Sequence, residues 1–360
     1  MKVGYAILYE DGELVISKNH TLLQKKIIKD YGEFEDTSVP WKDEYSQIKK
    51  VHILNQVESN CMEEWFENCI NLKTLINFKN LDVSDCTDFS SMFFYCESLQ
   101  DLNGLETWNV SNGTDFNSML AFCKSLQDLN ELQNWDVSNG IDFSCMFASC
   151  KSLHDINELQ NWKVSSGTDF NSMFEYCESL QTLNRLKNWN VSNGKDFSYM
   201  FLYCESLQDL NGLQNWDVSN GKDFSYMFTY CVSLQNLNGL QNWNVANGTD
   251  FSSMFCYCES LQNLNGLQNW NISSDTDFSY MFSDCKSLEN IDELQPWNVS
   301  NGTDFLKMFA YCTSLQNILL PNTLSILKKD IFYECNTTLK IHWKNHIYTY
   351  EDLLEYQTIY

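Results

Sequence analysis

Cysteine, aspartate and tryptophan recur in this chain at a fixed spacing, and each row suggests its own chemistry. Cysteine stands at 96, 123, 150, 177, 204, 231, 258, 285 and 312, a step of 27 each time. Such a row is compatible with a thiol relay, a metal ladder or a disulfide stack. Asp88, Asp115, Asp142, Asp169, Asp196, Asp223, Asp250, Asp277 and Asp304 keep the same step, a run of carboxylates suited to a hard cation. Tryptophan keeps it at 108, 135, 162, 189, 216, 243, 270 and 297, and aromatic rows of this kind can stack sugars.

Packing competes with each of these readings. Phe224, Met227, Phe228 and Cys231 sit at i, i+3, i+4 and i+7, the pattern of one face of a short helix. The row cysteine is therefore expected to pack as a small hydrophobe. Parallel side chains in a stack have the wrong mutual direction for a good disulfide, and the odd total of fifteen cysteines excludes complete internal pairing. The extra Cys145 and Cys256 lack the C-x-x-C spacing of zinc sites. Each aspartate precedes the helix pattern, where it is expected to cap the first turn and meet the positive end of the helix dipole. Like charges about 5 Å apart in water repel by roughly 0.8 kcal/mol per pair, and a capping hydrogen bond contributes about 1 kcal/mol. Capping alone accounts for the row. The unit lacks the further carboxylates that calcium requires, so a cation-binding solenoid is kept only as a remote alternative. Tryptophan continues the leucine spacing and is read as core. His342 and His346 in HWKNH have helical spacing without the glutamate of a zinc protease, and are expected on a terminal cap. The chain shows no phosphate-binding glycine loop, no nucleophile elbow and no repeated His-carboxylate pair. No enzyme activity, no cofactor and no metal site are expected.

What must position these rows is a repeat, because strict self-similarity means units that bury their apolar faces only by stacking on their neighbours. Leu234, Leu237 and Leu240 are followed by Trp243 and Val245 and then by the polar turn Ala246-Asn247-Gly248. The expected fold class is an α/β repeat, a leucine-rich-repeat solenoid with one parallel sheet of short strands and a layer of short helices, capped at both ends. Residues 1–57 are read as a hairpin-containing cap and 58–80 as a degenerate first rung. Tandem 27-residue repeats follow over 81–317, then a 23-residue-type repeat and cap over 318–360.

Composition narrows the partners. Forty-eight acidic residues against 23 basic ones give a formal charge of −25, which argues against nucleic acid and anionic lipid, since both need a basic surface. With 43% apolar and 14% aromatic residues a packed core is expected. No window has the eighteen or so apolar residues of a membrane span, so no membrane insertion is expected. The opening MKVGYAILYEDGELVIS is broken by Glu10 and Asp11 and does not read as a signal peptide. Taken alone, the residues favour a cytoplasmic location with reduced thiols, and sequons such as Asn109-Val110-Ser111 are read as incidental.

The unit W-N-V-S-N-x-T-D-F-S-x-M-F-x-x-C-x-S-L-x-x-L resembles the repeat of the BspA-like leucine-rich-repeat surface proteins, related to the mycoplasma lipoprotein-associated repeats. The segment CTSLQNILLPNTLSILKKDIFYECNTTLKI from Cys312 resembles the second repeat type of that family, and WFENCINLKTL from Trp65 resembles a degenerate rung. The chain departs from the family pattern in carrying tryptophan where phenylalanine is usual. The resemblance implies a cell-surface location, adhesion or surface recognition, and partner binding on the open sheet face.

Positions that vary between near-identical units are the candidate contact residues. Tyr199, Tyr226 and Tyr280 occupy one column, where other units carry Ser, Cys or Lys. Tyr95, Tyr176, Tyr203, Tyr230, Tyr257 and Tyr311 occupy another, four residues on. On a helix, Tyr199 with Tyr203 and Tyr226 with Tyr230 are i,i+4 neighbours, and clustered tyrosines suit protein recognition. On the sheet face, Gln235, Asn236 and Asn238 supply amides. The expected function is a non-enzymatic protein-protein interaction module, with a protein partner that is basic on charge grounds. An intracellular structural scaffold is the alternative. The sequence leaves the oligomeric state open.

Overall fold

The rung around Cys231 shows how this sequence folds. Asp223 Oδ1 accepts the backbone N–H of Ser225 at 2.9 Å, closing a turn of the Asx kind. Three further i→i+3 bonds follow: Met227 N–H to Phe224 O, Thr229 N–H to Tyr226 O and Cys231 N–H to Phe228 O. Tyr226 and Tyr230 sit at φ 59° and 60°, the third position of a type II turn. Alternate N–H groups point along the stack instead. Phe224, Tyr226, Phe228 and Tyr230 donate to Asp250, Ser252, Met254 and Cys256 of the next rung at 2.8–2.9 Å.

This corrects the expected placement of the helix layer. Residues 224–231 form a chain of four-residue turns laddered to the next rung, and a four-residue turn repeat buries i, i+3, i+4 and i+7 just as a helix does. Phe224, Met227, Phe228 and Cys231 are all fully buried. The short helices lie in the leucine segment, as 3-10 turns at Leu105–Thr107, Asn130–Leu132, Asn157–Asn161, Asn184–Asn188 and Asp292–Leu294. Leucines three apart match three residues per turn. Rungs with Gly212, Gly239 or Gly266 take φ of 111–118° there, and a Cβ on Gly239 would lie 2.2 Å from Leu210 O of the preceding rung.

The computed structural model describes residues 1–272, 276–300, 304–356 and 358–359. Packing resolves them into two compact units, Met1–Gly167 and Thr168–Tyr360. In the first unit, β1 (Lys2–Tyr9) pairs antiparallel with β2 (Glu13–Ser17) and with β3 (Ile27–Glu35). β2 then pairs parallel with β4 (Lys50–Ile53), and β4 with β6 (Thr74–Ile76), so the hairpin leads directly into the parallel stack. A second parallel pair joins β5 (Val57–Glu58) to β7 (Leu81–Asp82). Trp41, Trp65, Phe34 and Phe66 pack edge-on or stacked beneath them, and the buried Trp41 Nε1–H donates to Trp65 O at 2.7 Å.

The second unit repeats the rung and ends in β8 (Asn317–Leu319), parallel to β10 (Lys340–Trp343), with β11 (His346–Thr349) antiparallel to β10. β9 (Leu327–Lys328) pairs with β12 (Thr358–Ile359). His342 and His346 are not on a helix: they flank a two-residue hairpin turn whose Lys344 and Asn345 have φ 46° and 66°, the left-handed pair of a type I′ turn. Helix α1 (Tyr350–Tyr356) is entered through Thr349, whose Oγ1 accepts Asp352 N–H while Asp352 Oδ2 accepts Thr349 N–H. The fold is a leucine-rich-repeat solenoid, with parallel pairing from rung to rung and short helices between.

Candidate interaction surface

The three rows of apparent chemistry are structural. The thiol of Cys231 donates to Phe201 O at 3.3 Å, and Cys204, Cys258, Cys285 and Cys312 donate in the same way to the carbonyl 30 residues earlier. Burial pushes these thiols up, and the side cysteine Cys256 is raised to about 12 by the same cause. A buried, protonated thiol is a poor nucleophile. The tryptophan row is core: Trp243 is 2% exposed, stacks on Trp216 and Trp270 at 6.4 Å, and its Nε1–H donates to Leu213 O at 3.0 Å.

The aspartates do not cap helices. Every one from Asp88 to Asp304 accepts the backbone N–H two residues on, at 2.7–3.0 Å. Burial, ahead of repulsion from neighbouring aspartates, raises Asp115 and Asp223 above the usual carboxylate range. Within each unit, backbone bridges join successive members, as at Asp88↔Asp115 and Asp223↔Asp250. Cys61 continues the row backwards, bridged to Asp88. With Glu63 and Asp88 it offers three ligand atoms within 4.8 Å of one another, a grouping signalled in the sequence by Cys61 standing one step of 27 before Asp88. Three atoms fall short of the six or more oxygens that calcium takes, and Asp88 Oδ1 already accepts Ser90 N–H and Oγ–H.

The tyrosines are the residues left over from this architecture. Tyr199, Tyr203, Tyr226, Tyr230, Tyr257 and Tyr280 all hold φ between 57° and 60°, a region that costs a bulky residue on the order of 1–3 kcal/mol. Tyr199 and Tyr203 are therefore not i,i+4 helix neighbours but equivalent corners of successive turns. Each corner projects its ring along the stack. Tyr199 stacks on Tyr226 with ring centres 4.7 Å apart and planes 4° apart. In the second column Tyr176, Tyr203, Tyr230 and Tyr257 form a continuous stack at 4.5, 4.2 and 4.2 Å. Ring pairs contribute about 0.5–1.5 kcal/mol each, which offsets the left-handed backbone. Burial and hydroxyl contact raise Tyr203 and Tyr230, and the Asp284 carboxylate raises Tyr257. The columns thus present hydroxyls and ring edges to solvent, with ring faces open only where a column is interrupted.

The amides lie on a different segment of the rung. Gln235 and Asn238 are exposed, whereas Asn236 Oδ1 accepts Asn238 N–H at 3.2 Å, so its acceptor serves its own turn. Gln235 N–H donates to Gln208 O at 3.1 Å. Among the described residues, no helix is long and apolar enough to cross a membrane.

The chain is similar over most of its length to two solved bacterial structures. A leucine-rich repeat protein from Bacteroides ovatus is 16% identical, with 95% of this chain and 98% of that one covered and a TM-score of 0.43. A leucine rich cell surface protein from Faecalibacterium prausnitzii is 15% identical, with 96% and 95% covered and a TM-score of 0.44. No curated protein sequence matches the chain. Overlapping matches at residues 60–182, 129–238, 154–263 and 232–340 show that the chain belongs to the family described as Mycoplasma protein of unknown function, DUF285.

Proposed function

We propose that this chain is a non-enzymatic protein-interaction module whose second unit holds a protein partner against the two tyrosine columns. The observation that carries the reading is the left-handed backbone at Tyr199, Tyr203, Tyr226, Tyr230, Tyr257 and Tyr280. Serine occupies equivalent corners, Ser91, Ser118 and Ser172 in the first column and Ser149 in the second, so a rung forms without a large ring there. Tyrosine supplies stiff contact area with a polar tip, and a formal charge of −25 favours a basic partner through complementarity. Gln235 and Asn238 form a secondary contact region, with Asn236 contributing its amide nitrogen. Residues 1–57 and 318–360 serve as caps to the degenerate rung at 58–80 and the tandem repeats at 81–317. Adhesion or surface recognition is the setting that the family resemblance implies for such a module.

The test is to replace Tyr199, Tyr203, Tyr226 and Tyr230 together by serine and compare partner recovery from the native source. Serine is already tolerated at equivalent corners, so the fold is expected to persist by circular dichroism. Partner recovery should fall at least tenfold; equal recovery with an unchanged fold contradicts the proposal.

A further inference from the structure

The first tyrosine column has a gap one ring wide. Its members are Ser91, Ser118, Cys145, Ser172, Tyr199, Tyr226, Ser253, Tyr280 and Lys307, and Ser253 is the small residue with tyrosine on both sides. The backbone at 226, 253 and 280 is equivalent, with φ 59°, 57° and 58°, so Tyr226 and Tyr280 stand two rungs apart over a buried Ser253. Two strand spacings come to about 9.5 Å. A flat group midway would lie about 4.7 Å from each ring, the spacing that Tyr199 and Tyr226 themselves adopt.

Three features give this slot a charge preference. Ring faces attract cations, guanidinium above all because it also stacks. Asp250 and Asp277 enter the turns that carry Ser253 and Tyr280, each with Oδ1 on a backbone N–H of its own turn, Ser252 at 2.8 Å and Ser279 at 2.7 Å. The fold needs only one of their two oxygens. In the next rung Asp284 interrupts the second column and acts on Tyr257. The chain itself supplies the precedent for a cation between two tyrosines: Lys307 Nζ lies 5.7 Å from the Tyr280 ring centre and 4.8 Å from that of Tyr333, on the far side of Tyr280.

We infer that the gap between Tyr226 and Tyr280 is a binding slot for a planar cation, and that it takes the guanidinium group of an arginine on the partner protein. This deepens the tyrosine-column reading and rests on it for the source of the arginine. In this proposal the guanidinium enters edge-on between the two rings, with its N–H groups toward the Asp250 and Asp277 carboxylates. A lysine ammonium fits less well, being compact and strongly hydrated.

The probes are N-acetyl-arginine amide, the peptide Gly-Arg-Gly, and the lysine and citrulline counterparts of that peptide. Binding is read from the ring resonances of tyrosine-labelled full-length protein. Both arginine probes should bind with millimolar affinity, lysine several-fold more weakly and citrulline not at all. Tighter binding of the peptide than of the amide indicates a chain-borne arginine. The decisive variant is Ser253→Tyr, which fills the gap at a corner where tyrosine is already accommodated; it should keep or raise Tm and weaken arginine binding at least tenfold. Tyr280→Ser, which removes one wall, should weaken it comparably. Equal binding of citrulline, or unchanged arginine binding by Ser253→Tyr, overturns the slot. That failure is separable from failure of the columns, which the fourfold serine variant scores by partner recovery.

Discussion

The thiol of Cys231 donates to the carbonyl oxygen of Phe201, thirty residues earlier, at 3.3 Å. That oxygen already accepts Cys204 N–H within its own turn. The cysteine row is thus one rung's weak donor closing on the turn of the rung before. S–H···O contacts are second-order in energy, and Cys231 has no solvent exposure.

Reactivity should follow from this burial. Cys61 and Cys145 are partly exposed, and the other thirteen cysteines are buried. Native protein treated briefly with an alkylating reagent at pH 8 should be modified at those two positions first, while Cys204, Cys231, Cys258 and Cys285 react only after unfolding. Peptide mass spectrometry reads the order, and early labelling of Cys231 contradicts it.

The tryptophan row makes the stronger inter-rung bond. Trp243→Phe keeps a ring between Trp216 and Trp270 but removes the indole donor to Leu213 O; that oxygen still accepts Trp216 N–H at 3.1 Å, so the loss is one net hydrogen bond, about 0.5–1.5 kcal/mol. Because repeat stability is largely a sum of nearest-neighbour terms, urea unfolding should show the loss as a lowered midpoint. A variant as stable as the parent excludes an energetic role for the indole N–H.

Stability should rise on mild acidification. Burial raises Glu131, Glu175, Asp115 and Asp223 above their ordinary values, so the folded state binds protons more tightly than the unfolded chain. Stability is therefore lost as pH rises through the raised folded values and regained on lowering it toward the ordinary range near 4. Asp11 acts oppositely. Lys25 and Lys50 hold it at about 2, so its contribution is present above the unfolded value and is lost as pH falls toward 2. Tm should climb as pH is lowered from 7 toward the ordinary carboxylate range near 4 and fall on further acidification. Asp223→Asn keeps an Asx turn without the buried charge, so it should raise Tm at pH 7 and flatten the climb, whereas Asp223→Ala should lower Tm. A monotonic fall in Tm from pH 7 downward contradicts this assignment.

Burial was legible in the sequence where secondary structure was not. The spacing of Phe224, Met227, Phe228 and Cys231 identified the buried face, but a repeat of four-residue turns gives the same spacing as a helix, so periodicity could not separate them. The left-handed corners were hidden because tyrosine is not the residue type that signals positive φ. Asn68, at φ 59° in the degenerate rung, and Asp284, at φ 60° in the second tyrosine column, are of the usual kind. Asp223, expected as a helix cap, and Asn236, expected as a sheet-face amide, both close Asx turns. In each case the partner is the backbone N–H two positions on, a local bond that spacing along the repeat does not signal. The gap at Ser253 depends on stacked rings and became visible only once the columns were aligned.

Crosslinking tests directly whether a partner meets the proposed tyrosine columns. A photo-crosslinking amino acid placed at Tyr230 and, in a separate protein, at Gln235 compares the two surfaces directly in the native source. A discrete protein adduct is expected from position 230, and it should disappear when Tyr199, Tyr203 and Tyr226 are changed to serine. An adduct from position 235 alone, or one from position 230 that survives those substitutions, would contradict it.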